Sequence, residues 1–307
     1  MKTTTRTLGI VSTVAGLALL AACASGDPLD SGAAGASGAQ ETIVVGSQDY
    51  YSNEIIAEIY AQALEAAGYD VQRDFRIGQR EAYLPEIEAG RIDLFPEYTG
   101  PLLLVWEPDT AGGTADEIYE ALVEAAPDGL QVLDSSDASD QDSYVVTREF
   151  ADQYGITTIA DLASVPVPIA LGGNSEGEDR PIGPAGLKST YGVDVAFTPI
   201  EDGGGPLTVK ALLDNQVQLA VIYTASPSMA SDDLVALEDP DGFMLASHVV
   251  PIASDKLDDT AAALIDKISA AMSAADLVAL NTESVETEAP AATIATAWLA
   301  SHADDLQ

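Results

Sequence analysis

Short β-branched runs alternate along the chain with stretches whose apolar residues recur every three or four positions. Thr42-Ile43-Val44-Val45 reads as a strand. After a turn over 46–51, Ser52 is placed to cap a helix that carries Ile55, Ile56, Ile59, Tyr60, Ala63 and Leu64 on one face and stops at Gly68. A helix around Glu81 to Ala89 leads through Gly90 into the strand Ile92-Asp93-Leu94-Phe95. The same rhythm predicts helices over 118–126, 185–191, 207–213, 260–275 and 291–302, and a helical turn capped by Thr158. It predicts extended segments over 131–133, 143–147, 167–171, 195–199 and 217–222. Alternation of this kind specifies an α/β protein with largely parallel sheets.

Two segments match without a gap. Residues 89–99 read AGRIDLFPEYT and residues 214–224 read DNQVQLAVIYT. Each holds a helix stop, an alternating strand, and Tyr-Thr at the strand's carboxyl end. The identities are few, so chance stands beside duplication as an explanation. Under duplication the chain holds two similar lobes. Ligands of open α/β sheets sit beyond the carboxyl ends of strands, which puts Tyr98 and Tyr223 on one cleft from opposite sides.

The first forty residues have a different character. Lys2 and Arg6 precede an apolar stretch from Leu8 to Ala22, which ends in Leu20-Ala21-Ala22-Cys23. This reads as a lipoprotein signal peptide over 1–22, with lipidation expected at Cys23, the chain's only cysteine. Residues 23–40 are rich in Gly, Ala and Ser and read as a flexible tether. The expected address is the outer face of a bacterial cytoplasmic membrane, held there by lipid.

Composition narrows the function. The 307 residues carry 12 Lys+Arg against 50 Asp+Glu, a formal net charge of −38. Such a surface repels phosphate backbones, so nucleic acid is excluded as a partner. It suits a salty, screened medium. One cysteine and two histidines leave no material for a thiolate zinc site and little for histidine-based catalysis; neither a cofactor nor a metal is expected.

Three clusters merit weighing. Gly173-Asn174-Ser175-Glu176-Gly177 fits a nucleophile elbow, with Ser175 as the serine of a secreted hydrolase, but Pro181 and Gly183 follow too soon for the helix an elbow needs. Asp134, Asp137, Asp140 and Asp142 supply oxygen ligands without the order or the twelfth-position glutamate of a calcium loop, and read as an acidic crossover between lobes. Tyrosine is prominent, with 11 Tyr against 5 Phe and 2 Trp. Tyr50, Tyr51, Tyr98, Tyr144 and Tyr223 fall near the ends of elements. Each alone reads as half-buried packing; several rings together can hold a quaternary ammonium on their negative faces.

From about residue 42 to 302 the chain resembles the substrate-binding proteins of osmoprotectant ABC transporters, the glycine betaine/choline/carnitine class. The resemblance is carried by Val45-Gly46-Ser47 with Asp49-Tyr50, and by Gly90-Arg91-Ile92-Asp93-Leu94 leading to Glu97-Tyr98-Thr99-Gly100. Further on it is carried by Asp142-Ser143-Tyr144-Val145-Val146, Tyr154-Gly155-Ile156, and Arg180 with Gly183, Gly186 and Leu187. Lys210-Ala211-Leu212 and Ala220-Val221-Ile222-Tyr223-Thr224 complete the series. The resemblance implies a non-enzymatic, two-lobed periplasmic-binding-protein fold of type II-like architecture, with the ligand cleft between lobes. Lobe one would comprise 41–141 and 225–307, lobe two 142–224. It further implies a monomer that delivers its solute to an ABC permease. Tyr98, Tyr144 and Tyr223 would be cage walls, Arg180 would grip a carboxylate, and Glu176 and Asp142 would line or close the site. Asp49 and Tyr50 join this candidate set.

Three positions depart from the family pattern. Gln48 stands where betaine binders usually carry lysine, Pro101 where a threonine often helps hold the carboxylate, and Val209 where an aromatic wall is usual. Tyr50 or Tyr51 would have to supply the missing ring. A ligand without a carboxylate, such as choline, needs neither the lysine nor the threonine, and its hydroxyl can use Gln48. Arg180 argues for an anionic group, unless Glu176 or Asp179 neutralises it. Another small cationic or zwitterionic solute on the same fold stays open as an alternative.

Overall fold

A computed structural model describes residues 41–306. The segments read as a signal peptide and a tether, with Cys23 between them, lie outside the described residues. No helix among the described residues is long and apolar enough to cross a membrane.

The first half of the chain runs β1 (Ile43–Gly46), α1 (Tyr51–Ala66), β2 (Val71–Asp74), α2 (Arg80–Glu88), β3 (Leu94–Tyr98), α3 (Thr99–Trp106), α4 (Ala115–Ala125) and β4 (Leu130–Val132). Then come β5 (Asp142–Thr147), α5 (Arg148–Tyr154), β6 (Ile169–Gly173), α6 (Pro184–Tyr191), β7 (Val195–Pro199), α7 (Pro206–Leu213), β8 (Leu219–Tyr223) and β9 (Leu234–Ala236). The chain closes with β10 (Val249–Ser254), α8 (Asp259–Ala271), α9 (Ala274–Thr287) and α10 (Ala291–Ser301).

The strands form two five-stranded sheets, ordered β2-β1-β3-β10-β4 and β7-β6-β8-β5-β9. In each, a β-α-β-α-β run gives three parallel strands, and the last of them, central in the five-stranded sheet, ends in tyrosine: Tyr98 on β3, Tyr223 on β8. In each, the next strand is antiparallel: β10 beside β3, β5 beside β8. The matching 11-residue segments therefore occupy the same place in two similar sheets. Both sheets are mixed rather than largely parallel, because β10 and β5 each come from the far side of a crossover between the lobes.

The division between lobes differs from the expected one at its second boundary. Ala225 does pack into the core of lobe one, but β9 pairs with β5 in the second sheet. Leu237 and Met244 belong to the second core, so the final return falls just before β10 instead of at 225. The three-residue β9 carries too little periodic signal to be read from sequence.

Local rules explain the element ends. Thr114 with Glu117, and Ser273 with Asp276, form capping boxes at α4 and α9. α6 and α7 both open on Gly-Pro, where the missing proline N–H costs nothing. α1 starts at Tyr51 with no side-chain cap, and Ser52 is not the cap. The Ser52 hydroxyl donates instead to Oδ2 of Asp140 at 3.2 Å. The apolar face of α1 packs with Ile265, Ile268, Leu277, Ile294 and Trp298, so the helices after β10 cover lobe one.

Candidate functional site

The Glu-Tyr-Thr-Gly motif at the end of β3 is explained residue by residue. Glu97 is 0% exposed. Its carboxylate takes a fork from Arg80 (Nε to Oε1 2.7 Å, Nη2 to Oε2 2.9 Å), the Tyr83 hydroxyl at 2.6 Å and the backbone N–H of Tyr98 at 2.8 Å. A buried charge survives only when it is matched and hydrogen-bonded in this way. Thr99 donates through Oγ1 to the Ala246 carbonyl at 2.9 Å and accepts from the His248 N–H at 3.1 Å. Gly100 lies so close to the 245–246 backbone that a Cβ there would meet Leu245 Cβ at 2.5 Å. The motif thus locks Tyr98 at the sheet edge and seats the segment that returns from lobe two.

Around Tyr98 a small cleft is lined by Gln48, Tyr50, Arg80, Asp140, Asp142, Arg180 and Tyr223, with Pro101 and Ser247 at its edge. Its cavity volume is about 20 Å³, room for a water molecule. The Tyr50 and Tyr98 hydroxyls lie 2.5 Å apart, and the Tyr50 and Tyr223 rings are 5.3 Å apart at 47°. Burial, the neighbouring tyrosines and Asp140 push the Tyr50 hydroxyl well above its usual range, and burial does the same at Tyr98 and Tyr223. The three rings stay neutral. Gly203, at φ +60°, brings its backbone against Tyr50 with room for only a bare Cα: an added Cβ would sit 3.1 Å from Tyr50 Cβ.

Asp140 is buried and accepts from Ser52 and from the Ala225 N–H at 3.1 Å. Burial pushes its carboxyl up to about 7, against the lowering effect of those two donors and with a further push from Asp142. Burial also raises Asp142, opposed by the charges of Arg180 and Arg80. Both guanidiniums already have a glutamate: Glu97 for Arg80, and Glu81 for Arg180. Asp140 and Asp142 are the surplus negative charge. Gln48 is 5% exposed, and its Nε2 donor has no hydrogen-bond partner.

The structure thus gathers Tyr98, Tyr223, Tyr50, Gln48, Asp142 and Arg180. Arg180 does not pair with Glu176 or Asp179; it crosses to Glu81 and Gln79 on lobe one. Three expected residues lie elsewhere. Tyr144 is wholly buried in the second core, its hydroxyl donating to the Ile182 carbonyl and its ring 6.4 Å from Phe243. It shares a strand face with Asp142, but the 180–182 segment covers it. Glu176 sits on a 3₁₀ turn with Ser175, away from the cleft lining. Asp49 is exposed and accepts from Gln79 at 2.8 Å, outside the lining. Val209 faces Tyr51 in a separate groove, so Tyr50 rather than Tyr51 joins the cluster. Sequence reading missed Arg80, whose partner lies 17 positions away, and saw Asp140 only as part of an acidic run.

Two alternatives lose their footing. Ser175 opens a 3₁₀ turn rather than a helix, and the Nδ1 of His248 is engaged by the Ser136 carbonyl at 2.8 Å. The acidic run 134–142 does not converge: the N–H of Asp134 meets Asp266, while Asp140 turns into the cleft. Among the described residues, no group of three acidic, histidine or cysteine side chains is placed to hold a metal ion.

A glycine-betaine-binding protein of Pseudomonas aeruginosa is 27% identical over 192 residues, which is 60% of this chain and 58% of that protein's length. Glycine betaine-binding protein YehZ of Escherichia coli is 22% identical over 231 residues, 71% of this chain and 76% of its own. Among solved structures, a glycine betaine/carnitine/choline ABC transporter protein superposes with a TM-score of 0.67 at 20% identity, over 86% of this chain and all of that one. Residues 41–301 match the family described as the substrate binding domain of ABC-type glycine betaine transport systems, and the chain belongs to that family of non-enzymatic solute-binding proteins.

Proposed function

We propose that this protein captures a quaternary ammonium solute between its lobes and delivers it to an ABC permease, from the outer face of the membrane to which lipid on Cys23 would tether it. The observation that carries the reading is the convergence of Tyr50, Tyr98 and Tyr223 beside Asp140 and Asp142. Neutral π-faces accept a cation that has shed its water, and two carboxyls on the same wall supply its counter-charge. Affinity would come from closure around these groups.

The polar end favours a hydroxyl over a carboxylate. Both guanidiniums are already matched by glutamates and Asp140 and Asp142 line the same cleft, while the Gln48 donor can serve either kind of oxygen. Choline meets these conditions better than glycine betaine. Calorimetric titration of the full chain against choline, glycine betaine, carnitine and proline betaine tests the reading. Saturable binding led by choline is the expected outcome; no binding to any of them overturns it.

A further inference from the structure

Arg180 is the one guanidinium of the cleft lining that reaches across to the other lobe. It precedes α6, yet its Nε meets Oε1 of Glu81 at 3.2 Å and its Nη2 meets Oε2 at 3.0 Å. Nη2 also reaches Oε1 of Gln79 at 3.2 Å. Arg80, one residue before Glu81, behaves differently: its fork on Glu97 stays inside lobe one and is buried. The Arg180 fork exists only while the lobes are together. The side chain of Glu81 is 53% exposed, so this pair sits at the rim of the cleft, where water can compete for it.

Two parallel N–H donors aimed at one carboxylate are the geometry by which arginine recognises any carboxylate. A fork filled by Glu81 has no such pair to offer a ligand. Resting on the binding function proposed above, we infer that Glu81 is a specificity-determining residue: its carboxylate takes the place on Arg180 that a ligand's carboxylate would occupy, and so turns the site against zwitterions. A zwitterion must displace Glu81 and bring its own negative charge beside it. A hydroxyl-bearing cation leaves the pair intact. This is discrimination by an opposing charge rather than by an added contact. Because the pair is partly exposed, it biases the choice and does not bar it.

The test is calorimetric titration of full-length wild type, Glu81→Gln and Glu81→Gln/Arg180→Gln with two matched pairs: choline with glycine betaine, and ethanolamine with glycine. The glutamine keeps the shape of Glu81 and removes its charge; Glu81→Ala, at the same exposed position, guards against an amide that simply takes over the bond. In both single variants the expected change is a gain of about tenfold for the carboxylate member of a pair relative to its partner, lost again in the double variant. An unchanged ratio, or equal weakening of both members, overturns the role of Glu81 and leaves the cage standing. A shifted ratio in the ethanolamine/glycine pair alone, with no binding of choline or glycine betaine, supports Glu81 and overturns the quaternary ammonium reading. No binding of any probe to any variant overturns both.

Discussion

The hydroxyl of Tyr50 lies 2.5 Å from the hydroxyl of Tyr98, which joins two residues 48 positions apart, from the loop before α1 and the end of β3. Tyr50 also leans on Tyr223 from the other lobe. It is the ring that couples the two strand-end tyrosines, and in the proposed cage it would stand in for the wall that Val209 does not provide.

Replacing Tyr50 by Phe keeps the ring and deletes the bond. Stability should fall by about 1 kcal/mol, since a buried hydroxyl on Tyr98 loses a partner, while solute affinity changes little. Tyr50→Ala removes a cage face and should weaken binding of a quaternary ammonium by at least about 1 kcal/mol. Denaturant unfolding and calorimetry on the two variants separate these roles. Equal affinity of Tyr50→Ala and wild type would remove Tyr50 from the cage.

Asp140 should make stability, and binding in the proposed site, depend on pH. Its folded-state pKa of about 7 lies above the ordinary aspartate value, so the folded protein holds a proton that the unfolded chain has released. Stability from this group therefore declines as pH rises from about 4 to about 7. A bound cation favours the ionised carboxyl, so solute affinity should strengthen over pH 5 to 8, by no more than about tenfold per pH unit. Asp140→Asn should flatten both profiles. A pH-independent wild-type affinity would separate Asp140 from the ligand.

Glu97 is fully buried and held by four donors. Glu97→Gln leaves Arg80 as a buried charge without its counter-ion and should cost about 3–5 kcal/mol in denaturant unfolding. Glu86→Gln, which breaks the exposed pair with Arg91, serves as the contrast and should cost under about 1 kcal/mol.

Gly100→Ala should destabilise by about 1–3 kcal/mol, because the new methyl group meets Leu245 Cβ at 2.5 Å and the Ala246 oxygen at 2.6 Å. The displaced segment runs on into Ser247 at the cleft, so affinity should fall with stability. Wild-type stability in this variant would show that residues 245–246 yield freely.

Much of this arrangement is legible in the chain. Strand periodicity locates the central strands of both sheets, and the 11-residue match puts Tyr98 and Tyr223 at equivalent strand ends. Alternation also says which residues share the Tyr144 face, but not that a loop arriving 38 positions later buries that ring. Arg80 looks like the start of an ordinary amphipathic helix, since nothing local announces a partner on the next strand. Arg180 meets Glu81 across 99 positions, a pairing set by how the lobes come together rather than by any spacing. Residues are readable when one element positions them and hidden when their partner comes from a distant stretch of chain.

The buried amide of Gln48 has an energetic consequence for the working cycle. In the proposed cycle, a clamp that shuts without an occupant leaves that donor to whatever water the cleft holds, and an occupant bearing an oxygen acceptor would answer it directly. Under the proposed function a shut receptor would thus be one with cargo aboard, which is the state a permease must tell from a vacant one.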